Sequence, residues 1–259
     1  MTATSMKKRL VLNKPMLGFC SSYPAEGIIE RIGRDWDWIW IDGQHGQHDY
    51  RSMLAAVRVC DALDVASVVR VPGHDYGSIG LALDMCPSGI MVPMVNTVEQ
   101  AKAVVAAVKF PPLGIRSYGG RRPIDIIGRT YGHTANDDIL LIAQIETKEG
   151  LKNAGAIAAI NGIDALFFGP DDMSMQEGLP MDKSRSVDEL VDLMQLMGEA
   201  ANKYGKIACG TAPTPDLYKL AIKLGYRLIV ATGDVGLLAG GSKATAKQFI
   251  QYNEEVLKS

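Results

Sequence analysis

Short runs in which nearly every residue is apolar alternate along the chain with longer stretches whose apolar residues return every third or fourth position. The first kind reads as strands buried on both faces, the second as helices that cover them. The pattern predicts strands at 16–22, 38–41, 65–71, 89–95, 139–145, 164–168, 207–211 and 228–231. Helices are predicted at 24–34, 50–63, 76–85, from Thr97 onward, between the fifth and sixth strands, at 186–204, at 215–224 and at the end of the chain. In the second of these, Met53, Leu54, Val57 and Cys60 make the apolar stripe; in 186–204 it is Leu190, Leu193, Met194 and Met197. Thr97 reads as a helix cap, and Gly225 stops the helix before it. Eight strand–helix units with no linker, composition break or low-complexity segment predict one (β/α)8 barrel, a TIM barrel, over residues 1–259. A doubly wound sheet is the alternative.

In either parallel fold, ligands gather at the carboxyl ends of the strands. Reactive residues stand there repeatedly. His45 follows the second strand, Arg70 ends the third, Gln144 and Glu146 end the fifth, and Asp171 and Asp172 follow the sixth. Glu146 and Asp172 suit a hard divalent cation such as Mg²⁺ or Mn²⁺, which takes oxygen ligands and keeps waters. The plainer reading is a pair of helix caps, and for Asp171 alone the cap is preferred. Arg70 needs an anionic partner, either a structural aspartate or a substrate anion. His45, like His48, can be read as a surface histidine, but its place on the catalytic face makes it a candidate base. Asp42 and Asp84 are candidates to orient it, or members of structural salt bridges. Gln144 is a strand-end spacer or a donor to substrate oxygen.

A metal, a base and a fixed cation together suit the chemistry of a 2-oxo acid, which chelates a divalent ion and is carried to an enolate. A histidine titrating near neutrality moves the proton as a C–C bond breaks or forms. No lysine stands at an inward-looking strand end, so a Schiff-base aldolase is disfavoured.

Composition narrows the class further. The 259 residues are 47% hydrophobic, enough for a large core, and a net charge of −2 offers no footprint for nucleic acid. The four cysteines, Cys20, Cys60, Cys86 and Cys209, are scattered in apolar runs and form no zinc-type pair, which favours a reducing compartment. The N-terminus lacks the apolar core of a signal peptide, and no uncharged run is long enough to span a bilayer. The expected location is cytoplasmic, with neither membrane nor nucleic acid as partner.

Several motifs in a fixed order resemble one family. D-W-D-W-I-W-I-D-G-Q-H, V-V-R-V-P, G-I-M-V-P-M-V-N-T-V-E-Q-A, Q-I-E-T-K-E-G and F-F-G-P-D-D-M-S, with D-V-G-L-L near the end, are similar to the HpcH/HpaI aldolases over roughly residues 15–238. The resemblance implies a phosphoenolpyruvate/pyruvate-type barrel and a metal-dependent class II aldolase. Such an enzyme cleaves a 4-hydroxy-2-oxo acid into pyruvate, or a related 2-oxo acid, and an aldehyde through a metal-bound enolate. By position, His45 resembles the general base, Arg70 the enolate-stabilising arginine and Asp84 the aspartate that raises the basicity of the histidine. Glu146 and Asp172 resemble the metal ligands, with Mg²⁺ or Mn²⁺, or Co²⁺, as the ion. Gln144 resembles the substrate-contacting glutamine, and Asp171 with Asp172 stands where the substrate carboxylate is held. A swapped C-terminal helix and a hexamer built as a trimer of dimers are implied as well.

Three departures from the usual pattern stand out. Gln44 replaces a carboxylate in D-G-Q-H. Asp171 adds a charge in G-P-D-D-M-S, its side chain expected to point away from the substrate. I-R-S-Y-G-G-R-R-P carries Arg121 and Arg122, which bind a second acidic group or are simply solvated. Thr211, Ala212 and the loop after Gly114 are expected to line the aldehyde end. The competing readings are a CoA-ester lyase of the citryl or malyl type, which needs a basic groove, and a 2-oxo-acid-binding barrel without turnover, which needs no base.

Overall fold

The computed structural model describes residues 6–10, 14–181 and 185–258. The expected 1–259 domain therefore includes 1–5, 11–13, 182–184 and 259, which lie outside the described residues. A short helix α1 (Met6–Leu10) precedes β1 (Met16–Ser21), α2 (Glu26–Ile32) and a single 3₁₀ turn. Then follow β2 (Trp38–Asp42), α3 (Tyr50–Leu63), β3 (Ala66–Arg70), α4 (Tyr76–Asp84), β4 (Gly89–Val92) and α5 (Val98–Val108). The short α6 (Arg121–Ile126) and α7 (Ala135–Asp138) lead to β5 (Leu140–Ile145), α8 (Lys148–Ala158), β6 (Ala165–Phe168) and α9 (Pro170–Gln176). The chain continues through α10 (Val187–Lys203), β7 (Ile207–Thr211), α11 (Pro215–Lys223), β8 (Tyr226–Gly233) and α12 (Asp234–Lys258). All eight strands are parallel, and β8 pairs with β1 to close the barrel. Closure leaves no sheet edge, so the doubly wound alternative is excluded.

Strand residues alternate between two cores, as the period of two requires. Trp38, Trp40, Ala66, Val68, Leu140, Ile142, Ala165 and Phe167 face inward and fill the barrel, where Trp40 and Phe167 meet edge to face at 5.4 Å. Ile39, Ile41, Val69, Leu141, Ala143, Ile145, Leu166 and Phe168 face outward and pack beneath the helices. Met6 and Leu10 of α1 join the inner cluster and plug its lower end, while Lys7 pairs with Asp164 at 2.8 Å.

The helices begin where the sequence offers a capping oxygen. Asp49, Asp75, Thr97, Thr147, Ser186 and Thr214 each accept a backbone N–H two to three residues into their helix. Thr97 and Gln100 complete a reciprocal capping box, as the chain's T-V-E-Q suggests.

Two expectations fail here, both because a segment between a helix and the next strand lies at the amino ends of the strands. The long loop at 111–136, rich in glycine and arginine and expected from its length to be functional or mobile, precedes β5, so it covers the lower face of the barrel instead of the mouth. It is also ordered: Phe110, Tyr118 and Tyr131 cluster, with ring centroids 5.4–6.3 Å apart. Arg122 donates to the Asp61 carboxylate and to Met85 O (2.8 Å), and Arg121 pairs with Asp125. Within one chain, therefore, neither arginine nor the loop after Gly114 lines the aldehyde end. Asp84, the last residue of α4, lies on the same lower face, 3.8 Å from Arg116. It does not orient His45 of its own chain.

Candidate active site

The inward-facing rows of three strands are apolar until their last step. Continuing 38, 40 gives Asp42; 66, 68 gives Arg70; and 140, 142 gives Gln144 and then Glu146. A polar residue at that step sits at the upper rim of the barrel, where side chains no longer have a complete apolar layer above them. Asp42 and Arg70 are direct register partners on adjacent strands. Arg70 donates from Nε to Asp42 Oδ1 (2.8 Å) and from Nη2 to Asp42 Oδ2 (2.7 Å), a bidentate pair buried on both sides. Its guanidinium lies 4.4 Å from the centre of the Trp40 ring, which holds it flat. The partner of Arg70 is thus a structural aspartate. One edge remains: Nη1 is 3.4 Å from Gln144 Oε1.

Asp42 also accepts backbone N–H groups from Gln44 (3.0 Å) and His45 (3.2 Å). Burial pushes its carboxyl pKa up, but the hydrogen bond and charge of Arg70 outweigh this and hold it below the usual range. Asp42 therefore sets the backbone of the β2–α3 turn that carries His45, while its carboxylate is committed to Arg70. His45 is exposed at the mouth. His48 is half-buried, its ring nitrogens 3.3 Å from Ser21 Oγ and 3.2 Å from Ser52 Oγ, and burial lowers its pKa.

Glu146 is only 2% exposed. Its Oε1 accepts the Met94 backbone N–H (2.9 Å), and its Oε2 accepts Nε2 of Gln144. Burial raises its pKa from 4.5 to about 6, opposed by the Met94 hydrogen bond and helped by the negative charge of Asp172. Thr147, the next residue, supplies the cap of α8, so Glu146 is not used as one. Asp171 and Asp172 are exposed in the first turn of α9, whose N-cap is Gly169 with no side-chain cap. The capping alternative is therefore unrealised for all three carboxylates. Gly169 is needed for close approach: a Cβ there would lie 2.7 Å from Glu146 Oε2. Among the described residues no third His, Cys, Asp or Glu joins this pair. An all-oxygen pair of carboxylates, one buried and short of positive charge, fits a hard divalent cation that completes its shell with water and substrate.

Beside the pair, a cavity of about 550 Å³ runs between the ends of β6, β7 and β8. Its wall includes Trp40, Asp171, Arg185, Thr211 and Thr232. Thr211, expected at the aldehyde end, lines this cavity, and Ala212, the next residue, is buried. Asp171, expected to turn away, forms part of the wall. The Met94 N–H, the Trp40 ring, the Gly169 gap and Arg185 were not assigned roles from sequence. Met94 has a left-handed backbone (φ 55°), which a pattern of apolar residues does not signal.

Residues 19–212 match the family model described as HpcH/HpaI aldolase/citrate lyase. A 4-hydroxy-2-oxovalerate aldolase from Novosphingobium aromaticivorans is 43% identical over 178 residues, 68% of each chain. A 4-hydroxy-2-oxovalerate aldolase from Rhodococcus jostii is 34% identical over 95% of this chain and 96% of its own. The crystal structure of an HpcH/HpaI aldolase/citrate lyase family protein from Burkholderia cenocepacia superposes with a TM-score of 0.86 at 27% identity, covering 95% of this chain and 99% of that one. With the closed barrel, the matched motifs and near full-length relatives in agreement, this chain belongs to the HpcH/HpaI aldolase/citrate lyase family.

Proposed function

We propose that the protein is a class II aldolase, a carbon–carbon lyase that reversibly cleaves a 4-hydroxy-2-oxo acid into pyruvate, or a related 2-oxo acid, and an aldehyde. The observation that carries this reading is the joining of Glu146, Gln144, Arg70 and Asp42 in one chain of hydrogen bonds at the barrel mouth, beside Asp172. Glu146 and Asp172 would hold Mg²⁺ or Mn²⁺, with Co²⁺ as a substitute, and the ion supplies Lewis acidity toward the oxygens of a 2-oxo acid. Arg70 supplies fixed positive charge where the keto oxygen becomes negative. Its two bonds to Asp42 and its seat on Trp40 mean that little reorganisation accompanies the reaction. Nη1 is the edge available for this. Gln144 spans Arg70 and Glu146 and so fixes the distance between the cationic group and the metal ligand; its Nε2 is already committed. His45, exposed at the mouth, removes the proton of the 4-hydroxyl during cleavage and returns it in the reverse direction. The backbone at Asp171 and Asp172, in the first turn of α9, faces the substrate carboxylate.

The same reading extends to assembly and location. α12 runs for 25 residues, and Val235, Leu237, Leu238, Phe249, Ile250, Tyr252, Val256 and Leu257 along it are exposed. A helix with that apolar surface is unfavourable in water. We take it to dock on a second copy, as the swapped helix of a homo-oligomer, a hexamer made of three dimers. Among the described residues no helix is long and apolar enough to cross a membrane. Free cysteines at all four positions fit the reducing cytoplasm.

The deciding experiment follows exchange of the pyruvate methyl protons in D₂O by NMR, with Mg²⁺ or Mn²⁺, with chelator, and in Glu146→Ala. Metal-dependent exchange that disappears in the variant is expected. Absence of exchange with pyruvate, hydroxypyruvate and 2-oxobutyrate would sink the aldolase reading and turn attention to acyl-CoA substrates.

A further inference from the structure

One peptide group holds Glu146, and that group is itself held from its other end. Met94, in the turn between β4 and α5, donates its backbone N–H to Glu146 Oε1 (2.9 Å). The carbonyl of the same peptide unit belongs to Pro93, and its oxygen lies 2.5 Å from Nε2 of His74. A carbonyl oxygen only accepts, so Nε2 of His74 carries the hydrogen and donates it. In a trans peptide the C=O and the N–H point in opposite directions, and this one is trans. His74 and Glu146 therefore grip one rigid plane from its two sides. The bond at the oxygen also polarises the peptide and strengthens its N–H as a donor.

The grip opposes a strained backbone. Met94 has φ 55°, in the left-handed region that a residue with a Cβ adopts only at a cost. Turning the 93–94 plane over changes only ψ of Pro93 and φ of Met94, and it returns Met94 to an ordinary negative φ. It also points the N–H away from Glu146. The chain on either side is fixed independently. Met91 O accepts the Val71 N–H (3.0 Å), the Val95 N–H donates to Gln144 O (3.1 Å), and the Asn96 N–H donates to Gln100 Oε1 (2.7 Å). Those bonds leave the orientation of the plane to His74 and Glu146. His74 is well placed for this: it is half-buried in the β3–α4 loop, and the next residue, Asp75, anchors that loop by capping α4 through the Ser78 N–H (2.8 Å).

We propose that His74 is a positioning residue for the metal carboxylate. It keeps the Pro93–Met94 peptide in its strained orientation, so that the Met94 N–H presents Glu146 to the cation in one pose. This rests on the reading of Glu146 as a metal ligand. A simple tie between two loops would need contact but no particular donor, and it would be indifferent to the φ of Met94.

The test compares His74→Gln, whose side-chain amide reaches where Nε2 stands, with His74→Phe, which keeps a ring and loses the donor. Mn²⁺ affinity by calorimetry should stay within about threefold of wild type in His74→Gln. In His74→Phe it should fall by about tenfold or more. Adding Met94→Gly to His74→Phe should recover about threefold or more, because glycine takes a positive φ without the penalty. Equal affinity in His74→Phe and wild type, an equal loss in His74→Phe and His74→Gln, or no recovery with Met94→Gly overturns the proposal. If the wild type binds no Mn²⁺, the metal reading fails, and hydrogen exchange in the metal-free protein still decides the role of His74. By mass spectrometry the peptide containing Met94 should exchange slowly in wild type and His74→Gln and faster in His74→Phe. Unaltered exchange in His74→Phe overturns the role. Should His74→Phe not fold, the ring nitrogen signals of wild-type His74 decide by NMR: protonation at Nε2 is expected, and protonation at Nδ1 alone overturns it.

Discussion

Glu146 sets stability against chemistry. In metal-free protein its folded pKa, about 6, exceeds the ordinary 4.5, so between these values the folded state binds more protons than the unfolded one. Stability therefore falls as pH rises from about 4.5 through about 6, with this group costing about 2 kcal/mol above that window. Glu146→Gln keeps the Met94 hydrogen bond and removes the charge. Urea unfolding in chelator at pH 7 should show the variant about 1–2 kcal/mol more stable than wild type, with the difference vanishing by about pH 4.5. Superimposable pH curves would contradict a buried, electrostatically strained Glu146. Saturating Mg²⁺ or Mn²⁺ should reverse the order, since only the wild type gains a ligand for the cation. His45 tests the other half of the site: His45→Ala should lower turnover by about 10²–10⁴-fold while metal affinity by calorimetry stays within error. Full activity in that variant would remove His45 from the mechanism.

At the scale of elements, the site depends on how two neighbouring strands end. β5 carries Gln144 at its end and Glu146 just beyond it, and the turn from β6 into α9 must pass close to that carboxylate without a side chain of its own. Gly169→Ala places a methyl group 2.7 Å from Glu146 Oε2. The carboxylate must move, so metal affinity should fall by at least about tenfold and stability by about 1–3 kcal/mol. Unaltered metal binding in Gly169→Ala would place the cation elsewhere. The apolar runs of β2, β3 and β5 made these strand ends legible: a run buried on both faces that stops in a polar residue marks the carboxyl end of a strand in a parallel fold. The turns between elements were less legible. The loop at 111–136 reads as functional or mobile by its length, yet its place in an αβ connection puts it on the lower face. Asp84 follows the same rule.

For the whole molecule, closure of the barrel brings β8 against β1, and Asp234 completes the joint by accepting the backbone N–H groups of Ser22 and Tyr23 at 2.9–3.1 Å. Beyond that residue α12 is buried nowhere along its length within one chain. Deletion of the helix after Asp234 should leave a folded barrel of lower oligomeric state, measured by analytical ultracentrifugation. An unchanged assembly would show that the subunits meet through other surfaces.

The order of apolar runs and helical stripes, with a cap at Thr97, determined an eight-unit barrel because period and capping are local properties of the chain. The positions of Arg70, Gln144, Glu146 and Asp172 were readable for the same reason, since a strand end in a parallel fold is also a place in space. Only the tertiary structure decided that Arg70 is clamped by Asp42 and that Met94 and Gly169 frame Glu146. It alone put Asp84 and the Arg121–Arg122 segment on the far face, and Arg185 in the wall of a cavity at the ends of β6, β7 and β8. These are relations between distant segments, set by closure of the sheet and the path of its connections, and no local pattern carries them.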